Sequence, residues 1–192
     1  LIALLIGIAF GTAGSLFQRM LRNPLASPDI IGISYGSSAV AVVAIGFFGA
    51  TGAAVSIASV VGGLTVALAV YLLAWRGHVH GTRLVLIGIA VGTMLFAVIQ
   101  WVLTRIEVYK AAEALRWVTG SLNSSFWEDL PPLAVAMLLL VPAAFAVSRR
   151  LGILELGDDA SAALGVRPDR TRLLIVVIAV GLTSIATAAA GP

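Results

Sequence analysis

Long apolar stretches alternate with short polar connections along the whole chain. A helix needs about 20 residues to cross the ~30 Å hydrocarbon core of a bilayer. Six stretches reach or approach that length, and the predicted spans are Leu1–Phe17, Ile33–Phe48, Ala53–Trp75, Leu84–Leu103, Pro131–Val147 and Leu173–Ala190. Backbone amides inside lipid need internal partners, and the stretches lack the strict alternation of barrel strands, so helices are predicted.

The composition agrees with a membrane protein. Apolar residues make up 60% of the 192 positions and charged residues only 11%, whereas soluble domains carry about 25% charged residues. A water-soluble enzyme and a disordered tail are therefore excluded. The chain has no cysteine, which excludes a thiolate metal site and a cysteine nucleophile.

The charged residues lie between the predicted spans, and the basic ones are distributed unequally. One set of connections carries nine arginines, and the other carries two arginines and a lysine. The positive-inside rule places the richer side in the cytoplasm. The richer side holds Arg19, Arg22, Arg76, Arg83, Arg149, Arg150, Arg167, Arg170 and Arg172, and the poorer side holds Arg105, Lys110 and Arg116.

Three connections are predicted to have structure of their own. Gln18–Gly32 is a cytoplasmic loop, and Arg105–Trp117 is expected to form a short helix at the outer surface. Leu154–Pro168 is a second cytoplasmic loop with a small helix inside it. Both ends of the chain lie at apolar runs, so we expect a fragment of a longer protein, truncated at both ends.

The small helix in the second loop has recognisable start and stop signals. Asp158 or Asp159 can cap its N-terminus, and Ala160–Leu164 would form its body. Gly165 stands at the position after the C-cap, where a left-handed backbone favours glycine.

Two short motifs suggest chemistry, and each has a structural alternative. Gly32–Gly36 fits G-x-S-x-G, in which Ser34 would be a hydrolase nucleophile after a strand. No strand is predicted there, so small residues for helix packing are the favoured interpretation. His78 and His80 could bind a metal, but residues two apart do not share a helix face, and a solvated loop is favoured.

Small residues also recur every fourth position inside the spans. The patterns are Gly7-x₃-Gly11-x₃-Ser15, Ser59-x₃-Gly63 and Gly88-x₃-Gly92, which allow helices to approach closely. No predicted span contains Asp, Glu, Lys, Arg or His, whereas ion-coupled carriers usually keep at least one such group in the membrane. The energy for any transport is therefore expected to come from another subunit. An ion-coupled secondary transporter and an intramembrane serine hydrolase using Ser34 remain the alternatives.

Several motifs in one order resemble the iron-siderophore and cobalamin ABC importer permeases, over the whole chain. The matching stretches are Gly11–Gln18, Arg22–Pro28, Ile31–Ser34, Trp117–Leu122, Leu156–Val166 and the closing Ala190–Pro192.

The resemblance implies an all-α polytopic bundle of about ten spans, of which residues 1–192 would supply spans two to seven as a single transmembrane permease domain. It implies import of a ferric siderophore or related metal chelate across a bacterial inner membrane. The implied partners are an ATP-binding cassette ATPase dimer, an extracytoplasmic substrate-binding protein and a second permease subunit, identical or paralogous. Neither a cofactor nor nucleic acid is implied, and ATP hydrolysis would belong to the partner.

The resemblance also implies three sets of site residues, and no catalytic or metal-binding residue. Residues 154–168 would be the cytoplasmic coupling loop, with Leu156, Gly157, Asp158, Ala160, Leu164, Gly165 and Val166 contacting the ATPase. Gln18, Asn23 and Leu25 would narrow the cytoplasmic end of the translocation pathway. Trp117, Thr119, Gly120 and Ser121 would form the outer gate region.

Overall fold

The computed structural model describes residues 1–76, 78–79, 81–122, 127 and 130–191, and this part of the chain is almost entirely helical. The helices are α1 (Ile2–Leu21), α2 (Ile33–Phe48), α3 (Ala53–Ala74), α4 (Gly81–Leu103), α5 (Val108–Thr119), α6 (Leu130–Leu154), α7 (Asp158–Ala163) and α8 (Pro168–Ala190). A 3₁₀ turn (Pro28–Ile31) precedes α2. Two-residue strands, β1 (Trp75–Arg76) and β2 (His78–Val79), pair before α4. The predicted all-α class is confirmed.

Each predicted span corresponds to a helix. Within the described residues, five helices are long and apolar enough to cross a membrane, namely α1, α3, α4, α6 and α8, and α2 is a shorter apolar helix of 16 residues. Four helices extend beyond the predicted spans: α1 to Leu21, α4 back to Gly81, α6 to Leu154 and α8 back to Pro168. The extensions carry arginines, because a charged side chain ends an apolar run without breaking the backbone hydrogen bonds of a helix.

The last helix is the centre of the bundle. It packs against α1, α3 and α6, and its side chains Ile175 and Leu182 are almost completely buried. These side chains belong to the main core, together with Phe17 of α1 and Leu133 of α6. A second core joins α2 to the C-terminal end of α4 and to α5 around Val42 and Val102.

Helices α2 and α3 cross at glycines. A Cβ atom on Gly62 would lie 2.5 Å from the carbonyl oxygen of Gly36, so the two backbones touch. One residue further on, a Cβ on Gly63 would lie 2.6 Å from the hydroxyl oxygens of both Ser37 and Ser184. Three helices, α2, α3 and α8, therefore meet where only glycine fits.

The glycine pair of α4, Gly88 and Gly92, packs against a turn and not against another helix. Gly32 has a φ of 79° and links the 3₁₀ turn to α2. A Cβ on Gly32 would lie 3.2 Å from the carbonyl oxygen of Gly88 and 3.3 Å from the Cα of Gly92. The loop that follows α1 is therefore fixed against α4.

The arginine distribution gives a topology that cysteine labelling can check. Tyr109→Cys in α5 and Ala162→Cys in α7 introduce single thiols at exposed positions on opposite ends of the bundle. An impermeant maleimide applied outside intact cells should label the first and not the second. Permeabilised cells should label both, and labelling of Ala162→Cys alone in intact cells would contradict the orientation.

Candidate functional site

The loop between α6 and α8 folds back on the bundle through α7. Gly157, with φ of 108° and ψ of 162°, is the N-cap of α7, and no side chain caps this end. The prediction that Asp158 or Asp159 is the cap is therefore wrong. They are the first and second residues of the helix, where the dipole favours negative charge. The Asp158 carboxylate instead accepts two hydrogen bonds from Arg172 of α8, at 2.6 and 3.1 Å.

The other end of α7 is closed as predicted. Gly165 has a φ of 79° and follows the C-cap. Its N–H donates to the carbonyl of Ala162 at 3.0 Å, and the N–H of Val166 donates to that of Ser161 at 2.9 Å. This pair of bonds is a Schellman motif, which satisfies carbonyls that the helix leaves free.

Ser161 anchors α7 to the last turns of α6. Its side chain is fully buried, and its hydroxyl donates to the carbonyl oxygens of Ile153, at 3.0 Å, and Gly157. The sequence predicts no contact for Ser161. The sequence signal for such a contact is the single hydroxyl among the alanines of the α7 body.

The end of α1 is bonded to the same loop. Arg19 forms an ion pair with Glu155 at 2.9 Å, and the Arg22 guanidinium donates to the carbonyl oxygen of Leu154 at 2.7 Å. Arg22 itself terminates α1 with a φ of 51°, the only positive φ of a non-glycine residue in the described ranges. The sequence predicts neither contact: Arg19 indicates only the topology, and Arg22 indicates the topology and belongs to the stretch Arg22–Pro28 that carries the family resemblance.

Two of the three expected sets of site residues therefore lie beside each other. Gln18 and Asn23 flank the two arginines of α1 that hold residues 154–155. The side-chain oxygen of Asn23 accepts a hydrogen bond from the N–H of Leu25 at 2.9 Å, and Leu25 is 82% exposed. Ala160 is also exposed, as are the apolar side chains of Leu156 and Leu164. The basic end of the bundle thus presents apolar side chains on a loop that is rigidly attached to α1, α6 and α8.

The third set lies at the opposite ends of the helices. Ser121 donates its N–H to the carbonyl of Ala190 at 2.8 Å, which joins the end of α5 to the end of α8. A Cβ on Gly191 would lie 2.4 Å from the carbonyl oxygen of Trp117 and 2.6 Å from the Cα of Gly120. The hydroxyl of the exposed Thr119 lies within hydrogen-bond distance of the carbonyls of Leu115 and Arg116 in its own helix.

The surroundings of Ser34 differ from a nucleophile elbow. Ser34 lies in the first turn of α2, after the 3₁₀ turn and not after a strand, and its hydroxyl donates to Asp29. His80 and the side chain of His78 lie outside the described residues. In the described ranges no group of three or more histidine, cysteine or acidic residues could hold a metal ion.

The Ser161 anchor gives a local stability prediction. Ser161→Ala removes the hydroxyl that links α7 to the carbonyl of Ile153, which keeps only its bond from the N–H of Leu156 at 3.1 Å, and the loss is expected to cost about 1–1.5 kcal/mol locally. Amide hydrogen exchange in residues 157–166 should become about tenfold faster. The control is Ser148→Ala, whose hydroxyl bonds only to the carbonyl of Phe145 in the same helix. Equal exchange in the two variants would contradict the anchoring role.

Comparison with known proteins gives consistent results. The FecCD transport family matches residues 1–192. The chain is 44% identical to the ferric enterobactin transport system permease protein FepG of Escherichia coli, and covers 58% of that protein with 100% of its own residues. It is 36% identical to the achromobactin transport system permease protein CbrC of Dickeya dadantii, covering 55% of it with 99% of its own residues. An inward-facing structure of a metal-chelate type ABC transporter superimposes with a TM-score of 0.93 at 28% identity, over the whole chain and 61% of that structure's chain.

Proposed function

The chain belongs to the FecCD transport family, and on that premise we propose that it forms part of the permease subunit of an ABC importer. Its cargo would be a ferric siderophore or a related metal chelate, moved into the cytoplasm. The observation that carries the proposal is the family match over residues 1–192. Because the chain spans a little over half the length of the curated relatives it matches, the activity is proposed for the full-length protein.

The energy would come from a separate ATPase, so the subunit itself is a transport protein and not an enzyme. Residues 154–168 would be the coupling loop. Its exposed side chains Leu156 and Leu164 can enter a groove on that partner. Because the loop is bonded to α1, α6 and α8, a displacement of α7 by the ATPase would move these helices as well. The remaining residues proposed for this contact are Gly157, Asp158, Ala160, Gly165 and Val166.

Substrate would pass between this subunit and a second permease subunit, after delivery by an extracytoplasmic binding protein. Gln18, Asn23 and Leu25 would narrow the cytoplasmic end of the pathway, since all three are exposed beside the proposed coupling loop. Trp117, Thr119, Gly120 and Ser121 would form the outer gate region, where α5 meets the end of α8. The setting is a bacterial inner membrane, crossed several times by the chain.

Reconstitution tests the proposed function. The full-length permease is placed in liposomes with its ATPase and binding protein, and uptake of ⁵⁵Fe is measured with catecholate, hydroxamate and citrate-type chelates. We expect uptake of one class that requires ATP and the binding protein. Uptake driven by a proton or sodium gradient without ATP would support a secondary transporter instead. In the same assay, residues 1–192 alone should give background uptake, because the pathway would need the remaining spans.

A further inference from the structure

A cavity at the basic end of the bundle has the chemistry of an anion site, and we propose that it binds a phosphate group. The cavity has a volume of about 150 Å³ and lies between the end of α1 and the first turns of α4 and α8. A site for one water needs only about 10–15 Å³ by the same measure, so a phosphate with its four oxygens fits.

The polar groups that line this cavity are cations and hydroxyls. Arg22, Tyr71, Thr82 and Arg172 supply them, and Gly81 and four apolar side chains complete the lining. Within the described residues, no carboxylate lines it. Gly81 and Thr82 are the first residues of α4, where backbone N–H groups have no partner in their own helix and the dipole is positive. Helix starts of this kind bind phosphate oxygens.

A neighbouring cavity shows the contrast. It is about 230 Å³ and shares Arg22 and Arg172 with the first, but it also contains Glu155 and Asp158. In that cavity the chain itself provides carboxylates beside the two arginines. On the other side of the same two arginines it supplies only hydroxyls, so the anion is expected to come from outside.

Tyr71 is the observation that points to a ligand. The residue is 5% exposed, and its hydroxyl oxygen has no hydrogen-bond partner among the described residues. A buried hydroxyl without a partner destabilises the folded state, so such groups are normally satisfied. A phosphate oxygen in the cavity would satisfy it.

The charge balance agrees with an anion. Arg19 is paired with Glu155, and Arg172 with Asp158 and more distantly with Asp169. Arg22 bonds to the neutral carbonyl of Leu154 and has no ion pair within the described residues. One uncompensated guanidinium therefore faces the cavity, at the level of the helix ends where lipid phosphates lie. The phosphate could belong to a lipid headgroup or to free phosphate in the cytoplasm.

The test uses the purified full-length permease and two probes, inorganic phosphate and dioctanoyl phosphatidylglycerol. Thermal unfolding is measured while each is titrated at constant ionic strength against chloride. Each probe that binds the folded state should raise the melting temperature. A rise with the lipid alone assigns the site to a headgroup, and a rise with both assigns it to phosphate that enters from solution.

Tyr71→Phe separates this site from general anion effects. The variant loses one hydrogen bond to a charged group, so the apparent affinity should fall about tenfold. Without a probe, its melting temperature should be unchanged or higher, because a buried unpaired hydroxyl has been removed. The matched control is Tyr35→Phe on α2, a partly exposed ring against Phe96, which should bind both probes like the wild type.

Three results would overturn the proposal. The first is that neither probe raises the melting temperature of the wild type. The second is that Tyr71→Phe binds the probes as tightly as the wild type. The third is a lower melting temperature of Tyr71→Phe without any probe, since the hydroxyl would then serve a protein group such as the nearby Asp169. Thr82→Val, which removes the other hydroxyl of the cavity, should repeat the loss of affinity in an independent variant.

Discussion

Gly62→Ala is expected to force α2 and α3 apart and to prevent stable assembly of the bundle. The added Cβ would lie 2.5 Å from the carbonyl oxygen of Gly36 and 2.8 Å from the Cβ of Val40. Neither is the far end of a flexible side chain, so the helix backbones must separate. Overpacking of this kind typically costs about 1–3 kcal/mol, and backbone contact places this case at about 3 kcal/mol.

The measurement is the melting temperature of residues 1–192 in detergent, with the yield of monodisperse protein. Gly11→Ala is the matched control, because it is also a mid-helix glycine and nothing lies within 4 Å of its added Cβ. That control should be neutral or slightly stabilising, since alanine favours helices. Equal melting temperatures for the two variants would show that the α2–α3 contact is looser than described.

The sequence predicted that small residues pack helices, but it could not predict which glycines touch. Ser59 and Gly63 are buried as the pattern suggests, yet the closest backbone contact between α2 and α3 is made by Gly62 with Gly36. A spacing of four residues identifies one face of one helix. The crossing point depends also on the partner helix and on the angle between them, which local sequence does not contain.

Helix ends show a similar division between what local sequence determines and what tertiary contacts decide. The bounds of α2 were predicted correctly, because glycines stop the helix at both Gly32 and Gly49. The end of α6 was predicted seven residues early, at Val147 instead of Leu154. The length of an apolar run reflects the thickness of the lipid layer. The helix itself continues into water and ends where tertiary contacts change the direction of the chain.

The candidate site was predicted in outline but not in its contacts. The Gly165 stop signal was correct, because a left-handed residue after a helix is a local requirement. The predicted aspartate cap was wrong, because Arg172, 14 residues further on, engages the Asp158 carboxylate. Arg22 likewise meets Leu154 across 132 residues. Such pairings follow from the packing of α1, α6 and α8, and no spacing rule reveals them.

Gly191→Ala is expected to release the end of α8 from α5 at the end of the bundle opposite α7. Gly191 has a φ of 86° and a ψ of 169°, a region that is essentially restricted to glycine and costs other residues about 1–3 kcal/mol. Its Cβ would also lie 2.4 Å from the carbonyl oxygen of Trp117 and 2.6 Å from the Cα of Gly120. The strain and the backbone clash act together, so the contact should open.

The matched control is Gly157→Ala, which has the same kind of backbone strain without the clash. Gly157 has a φ of 108° and a ψ of 162°, and nothing lies within 4 Å of its added Cβ. Hydrogen exchange of the Ser121 amide, which donates to the carbonyl of Ala190, reports the contact directly. A loss of about 3 kcal/mol makes that exchange about a hundredfold faster in Gly191→Ala, while Gly157→Ala should leave it unchanged. Wild-type exchange at Ser121 in Gly191→Ala would show that α5 and α8 are not held together by this glycine contact.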